Sequence, residues 1–121
     1  MIVLADTSVW IEHLRTGHTT LTPLLTEGRV IMHPFIVGEL SCGNLKHRTV
    51  ILESLSALPM AKLATHAEGL HLVETHCLWG KGLGWIDVQL LASALISQCA
   101  LWTLDTRLRK VAAELSVAAV L

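Results

Sequence analysis

Four acidic residues occupy positions from which they could share one site. Asp6 and Asp105 each come directly after a short apolar run and directly before a hydroxyl residue that could begin a helix. Asp87 lies in the first turn of a predicted helix, and Glu39 lies inside another. Helix capping explains Asp6 or Asp105, taken singly, about as well as a site does. A shared site therefore needs support from the direction in which the side chains point.

The neighbours of Asp87 favour an inward direction. Residues three, four and seven positions further along lie on the same helix face as Asp87, and all are apolar: Leu90, Leu91 and Ala94. A separate polar stripe holds Gln89, Ser93 and Ser97. A carboxylate in the first turn of a helix is also favoured by the helix dipole. We expect the Asp87 carboxylate to point inward or along a crevice.

Glu39 is predicted to lie on an apolar helix face. It follows Phe35 and Ile36 by four and three residues and directly precedes Leu40. No Lys or Arg lies within one helical turn of it. A buried and unpaired glutamate is costly and has a raised pKa, so it needs a cation nearby.

Together the four carboxylates predict a metal site. Ligands of parallel sheets bind at the carboxyl ends of the strands, and both Asp6 and Asp105 fall at that edge. Carboxylates gathered there repel one another, and a hard divalent cation such as Mg²⁺ or Mn²⁺ relieves the repulsion. Such an ion polarises a phosphodiester and deprotonates a bound water. The residues therefore predict phosphodiester hydrolysis.

The elements that must position these acids alternate along the chain. Predicted strands cover residues 2–5, 29–32, 100–104 and 116–120. Predicted helices cover residues 23–27, 34–40, 46–55, 67–79, 86–98 and 106–114, with a further helix that ends near residue 15. This alternation predicts an α/β fold of three layers, with a parallel sheet of about four or five strands and helices on both faces.

Several helix ends have sequence signals. Thr7 or Ser8 is predicted to cap the first helix, and Thr22 with Pro23 to begin the second. Thr65 and Glu68 form a predicted capping box, and Gly80 a predicted stop.

Composition restricts the class of protein. With 121 residues, the whole chain (1–121) is predicted to be one domain. Hydrophobic residues make up 52% and charged residues 16%, which excludes a disordered chain and predicts apolar surface left for a partner. The net charge of −1 predicts that any nucleic-acid binding comes from local patches. Neither a membrane span nor a secretion signal is indicated, so the cytoplasm is the expected location.

The sulfur and imidazole side chains do not predict a second metal site. Cys42, Cys77 and Cys99 have no C-x-x-C spacing and are expected to be reduced core residues. The closest histidine pairs, including His13 and His18, are five residues apart and lack the spacing of a helical zinc site. We expect the seven histidines to be surface or capping residues.

Four segments, in order along the chain, resemble the VapC-type toxins of the PIN-domain family. They are residues 3–15 (VLADTSVWIEHLR), 37–40 (VGEL), 82–94 (GLGWIDVQLLASA) and 101–108 (LWTLDTRL). Each contains one of the four acids, and the resemblance covers nearly the whole chain.

This resemblance implies a ribonuclease that uses Mg²⁺ or Mn²⁺ and acts as the toxin of a toxin–antitoxin pair. It implies that Asp6 and Asp87 hold the ion, that Glu39 and Asp105 are the remaining acids, and that Ser8 makes a supporting contact. It further implies a VapB-like antitoxin that lays a helix in a groove and extends a basic residue toward the acids. Self-association into a homodimer is implied as well.

Other residues near these segments have weaker signals. Residues 80–84 (GKGLG) lack the spacing of a nucleotide-binding loop, and a mobile loop with Lys81 near an RNA phosphate is the better interpretation. Trp85, placed in this loop, is the best aromatic candidate for contact with substrate or partner. The basic clusters 46–48 and 107–110 are either RNA contacts or solvated helix faces.

Three other classes of protein compete with this interpretation. A receiver-like signalling domain would have paired acids after its first strand, and Asp6 has no acidic neighbour. A phosphatase of the haloacid-dehalogenase type would have Asp where Ser8 stands. A PIN-like module that binds RNA or a partner without cutting remains the alternative, although it predicts loss of an acid and all four are present.

Overall fold

A computed structural model describes residues 1–17 and 19–121, so the prediction for His18 lies outside the described residues. The strands are β1 (Val3–Ala5), β2 (Val30–Ile31) and β3 (Ala100–Trp102). The helices are α1 (Thr7–Thr16), α2 (Leu21–Thr26), α3 (Pro34–Ser41), α4 (Arg48–Ser56), α5 (His66–His76), α6 (Trp85–Ser97) and α7 (Thr106–Glu114).

The three strands form a parallel sheet in the order β2-β1-β3. Val3 pairs with Val30 on one side and with Ala100 on the other. The chain therefore crosses from β1 to β2 in one direction and from β2 to β3 in the other. Right-handed crossovers that leave in opposite directions place their helices on opposite faces of a sheet. The predicted α/β fold is confirmed.

The predicted count of four or five strands is wrong for the described residues, because the two outer positions are single bridges. Met32 pairs with Met60 at one edge, and Leu101 pairs with Ala118 at the other. Pro59 has no N–H with which to extend the first ladder. On the second edge, the bridge consists of the hydrogen bonds from Leu101 N to the Val117 carbonyl at 2.6 Å and from Ala119 N to the Leu101 carbonyl at 2.9 Å. The predicted strand 116–120 is therefore reduced to one bridge.

The central strand β1 is the most buried part of the fold. The side chains of Val3, Leu4 and Ala5 are all 0% exposed. A parallel strand covered on both faces has this continuous apolar sequence because neither side meets water. Leu91 of α6 and Leu108 of α7 are also fully buried in the same core. Asp6, which directly follows β1, is therefore fixed in position by the core.

The helix starts show which residues act as caps. Asp6 is the N-cap of α1, with Oδ1 accepting from Val9 N at 3.3 Å, and Asp105 is the N-cap of α7. The predicted caps at Thr7 or Ser8 are wrong, because the extended residue before the helix is the aspartate itself. The capping box of Thr65 and Glu68 is confirmed by hydrogen bonds of 2.8 and 3.0 Å.

Two other predicted helix ends are displaced. Helix α2 begins at Leu21 with Thr20 as N-cap, so Pro23 is its third residue and not its first. Helix α5 ends at Cys77, which itself adopts the left-handed conformation with φ 53°, three residues before the predicted stop at Gly80.

Two residues of the polar stripe of α6, Gln89 and Ser93, are buried against α5. Gln89 and Ser93 are 4% and 0% exposed. A Cβ added to Gly69 of α5 would lie 2.6 Å from Gln89 Nε2 and 2.8 Å from the Trp85 ring. Trp85 is thus the first residue of α6, packed beside α5, and does not lie in the preceding loop. Gly69 lets the two helices approach closely.

The cysteine prediction is wrong at two of three positions. Cys99 is buried, but Cys42 and Cys77 are exposed because they stand at the C-terminal ends of α3 and α5. All three are free thiols. Within the described residues, none of the helices has the length and apolar character needed to span a membrane.

We predict opposite effects for alanine at two helical glycines. Gly69→Ala should lower the free energy of unfolding by on the order of 1 kcal/mol, because steric overlap with Trp85 and Gln89 exceeds the gain in helix propensity. Gly38→Ala in α3, where an added Cβ meets nothing within 4 Å, should raise it by about 0.5–1 kcal/mol. Urea denaturation of both variants measures the difference, and a stabilising Gly69→Ala would contradict the close packing.

Candidate active site

Asp6 and Asp105 lie at the carboxyl ends of two neighbouring parallel strands. Asp6 directly follows β1, and Asp105 comes three residues after the end of β3. The Asp6 N–H donates to the Trp102 carbonyl at 2.9 Å, so the ladder between the two strands continues to the first acid. The edge predicted from the sequence is therefore where both side chains emerge.

Two hydroxyl groups join these acids into one hydrogen-bonded unit. Thr103 Oγ1 donates to Asp6 Oδ2 at 2.5 Å and accepts from Asp105 N at 3.0 Å. Ser8 Oγ donates to Asp6 Oδ1 at 2.5 Å and accepts from Leu104 N at 3.0 Å. Asp6 is 6% exposed, and each of its two oxygens accepts from a hydroxyl. The orientation of the Asp6 carboxylate is therefore determined from both sides.

Thr103, which was not among the predicted site residues, is 2% exposed and links Asp6 to the backbone of Asp105. A threonine two residues before Asp105, at the end of an apolar run, was the available signal. Its partner Asp6 lies 97 residues away in sequence, so only the pairing of β1 with β3 reveals the contact.

Asp87 is half-buried in the first turn of α6, where its Oδ2 accepts from Gly84 N at 3.0 Å. Burial raises the pKa of Asp87, and the negative charges of Asp105 and Asp6 raise it further. The hydrogen bond from the Gly84 N–H and the positive charge of the Arg107 guanidinium act in the opposite direction and lower the pKa of Asp87. Because the charges of Asp6 and Asp105 influence Asp87, the three carboxylates share one electrostatic environment.

Glu39 is exposed, so the prediction that it lies buried and unpaired is wrong. The buried face of α3 is formed by Ile36 and Leu40, which are 0% and 3% exposed, whereas Phe35 is 43% exposed. Phe35 lies four residues before Glu39, so the two side chains share the exposed face of α3. Its Oε1 accepts from Thr7 Oγ1 at 2.5 Å. Since Thr7 directly follows Asp6, Glu39 lies beside the same end of α1, but outside the buried network.

Arg107 is the cation nearest the fourth acid. Its Nε lies 3.8 Å from Asp105 Oδ1, and its side chain passes over Gly82, in the loop before α6. Lys81 of the same loop pairs with Glu114 across 3.5 Å, and its position near an RNA phosphate stays a prediction.

The donor set fits a hard divalent ion that keeps part of its water shell. Across residues 1–17 and 19–121, no three Asp, Glu, His or Cys side chains converge into a ready-formed metal cluster. Mg²⁺, however, is commonly held by one or two carboxylates and several waters. Asp87 accepts a described hydrogen bond on Oδ2 only, and Asp105 on Oδ1 only. An oxygen on each, together with the burial and the neighbouring negative charges that raise the pKa of Asp87, suits such an ion.

A groove of about 640 Å³ between α1, α3 and α4 leads to Glu39. Its apolar lining includes Ile11, Leu14, Leu40 and Ile51. Arg15 and Lys46 also line it, so positive charge accompanies an otherwise apolar surface.

We predict that Asp87→Asn stabilises the protein at neutral pH in the presence of EDTA. The folded-state pKa of this carboxyl is raised, so its contribution to stability is full below the unfolded pKa and is lost as pH rises through the folded pKa. The amide keeps the acceptor for Gly84 N and removes the charge. Urea denaturation between pH 3 and pH 8 should show a benefit that grows with pH, whereas Glu74→Gln, exposed on α5, should show none. A benefit independent of pH would contradict the charge argument.

Comparison with known proteins agrees with this architecture. The family model described as PIN domain matches residues 3–114. The chain is 45% identical over 118 residues to proteins named Ribonuclease VapC32 from two Mycobacterium tuberculosis strains, CDC 1551 / Oshkosh and ATCC 25618 / H37Rv. Each alignment covers 97% of this chain and 95% of the relative. The chain therefore belongs to the PIN-domain family.

Proposed function

We propose that this protein is an Mg²⁺- or Mn²⁺-dependent endoribonuclease and the toxin of a toxin–antitoxin pair. The main support is that Asp6 and Asp105 lie at the carboxyl ends of neighbouring strands and are joined through Thr103, and that burial and the charges of these two acids raise the pKa of Asp87. The ribonuclease name of relatives that are 45% identical over nearly the full chain adds to it. Because the proposed substrate is cellular RNA, we propose that the protein acts in the cytoplasm.

The proposed division of roles is the one that the resemblance to VapC-type toxins implies. Asp6 and Asp87 would hold the ion, with Asp105 and Glu39 as the remaining acids. When bound, the ion supplies Lewis-acid polarisation of the phosphodiester and lowers the pKa of a water molecule. Thr103 and Ser8 keep the Asp6 oxygens oriented, and Gly84 N–H does the same for Asp87.

Glu39 has a different proposed role because it is exposed and free of the buried network. With Thr7 holding Oε1, the carboxylate is placed to orient an incoming water and accept its proton. Hydrolysis then adds the water oxygen to phosphorus, breaks one P–O ester bond and leaves a proton on the departing oxygen. Each of the four carboxylates has its own hydrogen-bond partners, so all four can act on one phosphodiester.

We predict that Asp6→Asn or Asp87→Asn lowers RNA cleavage by more than about 100-fold, because loss of even an outer partner of a metal site costs about 10- to 100-fold. The measurement is cleavage of total cellular RNA in millimolar Mg²⁺ or Mn²⁺, with EDTA as a blank and Glu74→Gln as the control variant. Circular dichroism checks that each variant folds. Full activity of either aspartate variant, or undiminished activity in EDTA, would remove the proposed mechanism.

The alternative function is an RNA- or partner-binding module that does not cut. This alternative predicts the loss of at least one acid, whereas all four acids are present. RNA binding by the wild-type chain without cleavage in either metal would favour this alternative over the nuclease.

We further propose that a VapB-like antitoxin places an amphipathic helix in the groove of α1, α3 and α4. The apolar lining provides hydrophobic contact, and Glu39 at the groove provides a carboxylate for an Arg or Lys of the partner. A basic side chain there would compete with the metal ion and with substrate.

Two neighbouring residues of α4 test the groove. Ile51 lines it and is half-buried, whereas Val50 is 63% exposed and does not line it. We predict that Ile51→Asp escapes inhibition by the product of the small reading frame beside the gene, while Val50→Asp stays inhibited, with cleavage retained by both. Growth on co-expression and cleavage by the purified proteins are the readouts. Equal inhibition of the two variants would place the antitoxin elsewhere.

The toxin role itself requires growth arrest when the intact chain is expressed alone, and no arrest from Asp6→Asn. Equal toxicity of the two forms would remove that role and leave the nuclease proposal standing. The homodimer remains a prediction, which light scattering of the purified chain measures.

A further inference from the structure

Arg107 has a position that the proposed roles of the acids do not explain. It lies in the first turn of α7, two residues after Asp105, and its side chain is 66% exposed. The single approach to Asp105, from Nε to Oδ1, is 3.8 Å and too long for a hydrogen bond. An ion pair this exposed contributes little to stability. The guanidinium is therefore held near the acids without being strongly bound by them.

In residues 1–17 and 19–121, the Arg107 side chain donates no hydrogen bond, unlike the side chains of the other four arginines. Arg15 donates to Glu12, Arg29 to Glu27 and the Met1 carbonyl, Arg48 to the Gly43 carbonyl, and Arg109 to the Thr103 carbonyl. Within the described part of the chain, the Arg107 guanidinium has no such acceptor. A guanidinium presents five N–H donors in a planar fork that matches two oxygens of a phosphate.

Gly82 provides the space in which this side chain lies. An added Cβ at Gly82 would be 2.8 Å from Arg107 Cδ and 2.9 Å from Nη1. Gly82 also has φ +77°, a conformation that favours glycine. Two residues further, Gly84 N–H holds Asp87 Oδ2. One short loop thus sets the positions of both Arg107 and the third acid.

We propose that Arg107 binds the phosphodiester of the RNA substrate beside the four acids, with Gly82 as its supporting residue. The inference rests on the proposed ribonuclease function. An RNA phosphate that approaches three carboxylates meets repulsion, and a free guanidinium at their edge offsets it with charge-assisted hydrogen bonds. The competing interpretation is an internal counter-ion for Asp105 and Asp87, which would require no contact with RNA.

The test measures RNA affinity in an Asp6→Asn background with EDTA, so that binding is separated from cleavage. The probe is a fluorescein-labelled single-stranded RNA of mixed sequence, followed by anisotropy over a range of KCl concentrations. Adding Arg107→Ala should weaken binding about tenfold and reduce the slope of log affinity against log salt by about 0.7. Adding Lys62→Ala, an exposed cation in the loop between α4 and α5, should change affinity by less than about twofold.

Two more variants separate charge from geometry. Arg107→Lys keeps the charge but not the fork, so it should keep the salt slope and lose part of the affinity. Gly82→Ala displaces the guanidinium and should weaken binding in the same direction as Arg107→Ala. If Gly82→Ala does not fold, Arg107→Lys alone provides this comparison.

Several outcomes overturn the proposal. Unchanged RNA affinity of Arg107→Ala, equal losses from Arg107→Ala and Lys62→Ala, or no binding of the probe by the parent would each do so. Tighter Mn²⁺ binding by Arg107→Ala in the wild-type background, with unchanged RNA affinity, identifies the internal counter-ion. Failure of the ribonuclease proposal is separate, since it is seen as absence of cleavage by the wild-type chain whatever Arg107→Ala does to binding.

Discussion

The arrangement of the acids depends on the parallel pairing of β1 with β3. This pairing brings Asp6 and Thr103, 97 residues apart in sequence, to a hydrogen bond of 2.5 Å. The strand β1 is fully buried, so its end cannot shift without disturbing the core. Thr103 Oγ1 also accepts a hydrogen bond from the Asp105 N–H, so the position of Asp105 is constrained as well. A carboxylate that is nine-tenths buried is thus kept in one orientation by groups with little freedom to move.

This arrangement has a cost in the metal-free protein. Asp87 is half-buried beside the charges of Asp6 and Asp105, and its raised pKa records the unfavourable charge. Buried charge without a partner lowers stability, and active sites are common places for such strain. The capping positions partly offset it, because Asp6 and Asp105 each accept backbone hydrogen bonds at a helix start. The same carboxylates therefore serve the helices and the proposed metal site.

Positive groups surround the acids at a distance and do not neutralise them. Arg15 and Lys46 line the apolar groove that leads to Glu39, and Arg107 lies over the loop before α6. Of these three, only Arg107 acts on the pKa of Asp87, and its lowering effect is smaller than the raising effect of burial. This leaves a net negative site open to cations from outside the chain. A metal ion and a basic side chain of an antitoxin are the two that the proposed function requires.

The sequence alone determined the alternating α/β pattern, the capping box at Thr65, the helix α7 and the positions of Asp6 and Asp105 at strand ends, because these depend on neighbours in sequence. Tertiary structure decided what depends on distant neighbours. It placed Glu39 in solvent, buried Gln89 and Ser93 against α5, and assigned Thr103 to Asp6. A helix with apolar residues on several sides does not itself show which side is covered. Likewise, the outer strands are single bridges, and Pro59 has no N–H with which to extend the first of them. Such contacts exist only once the strands have paired and the helices have packed.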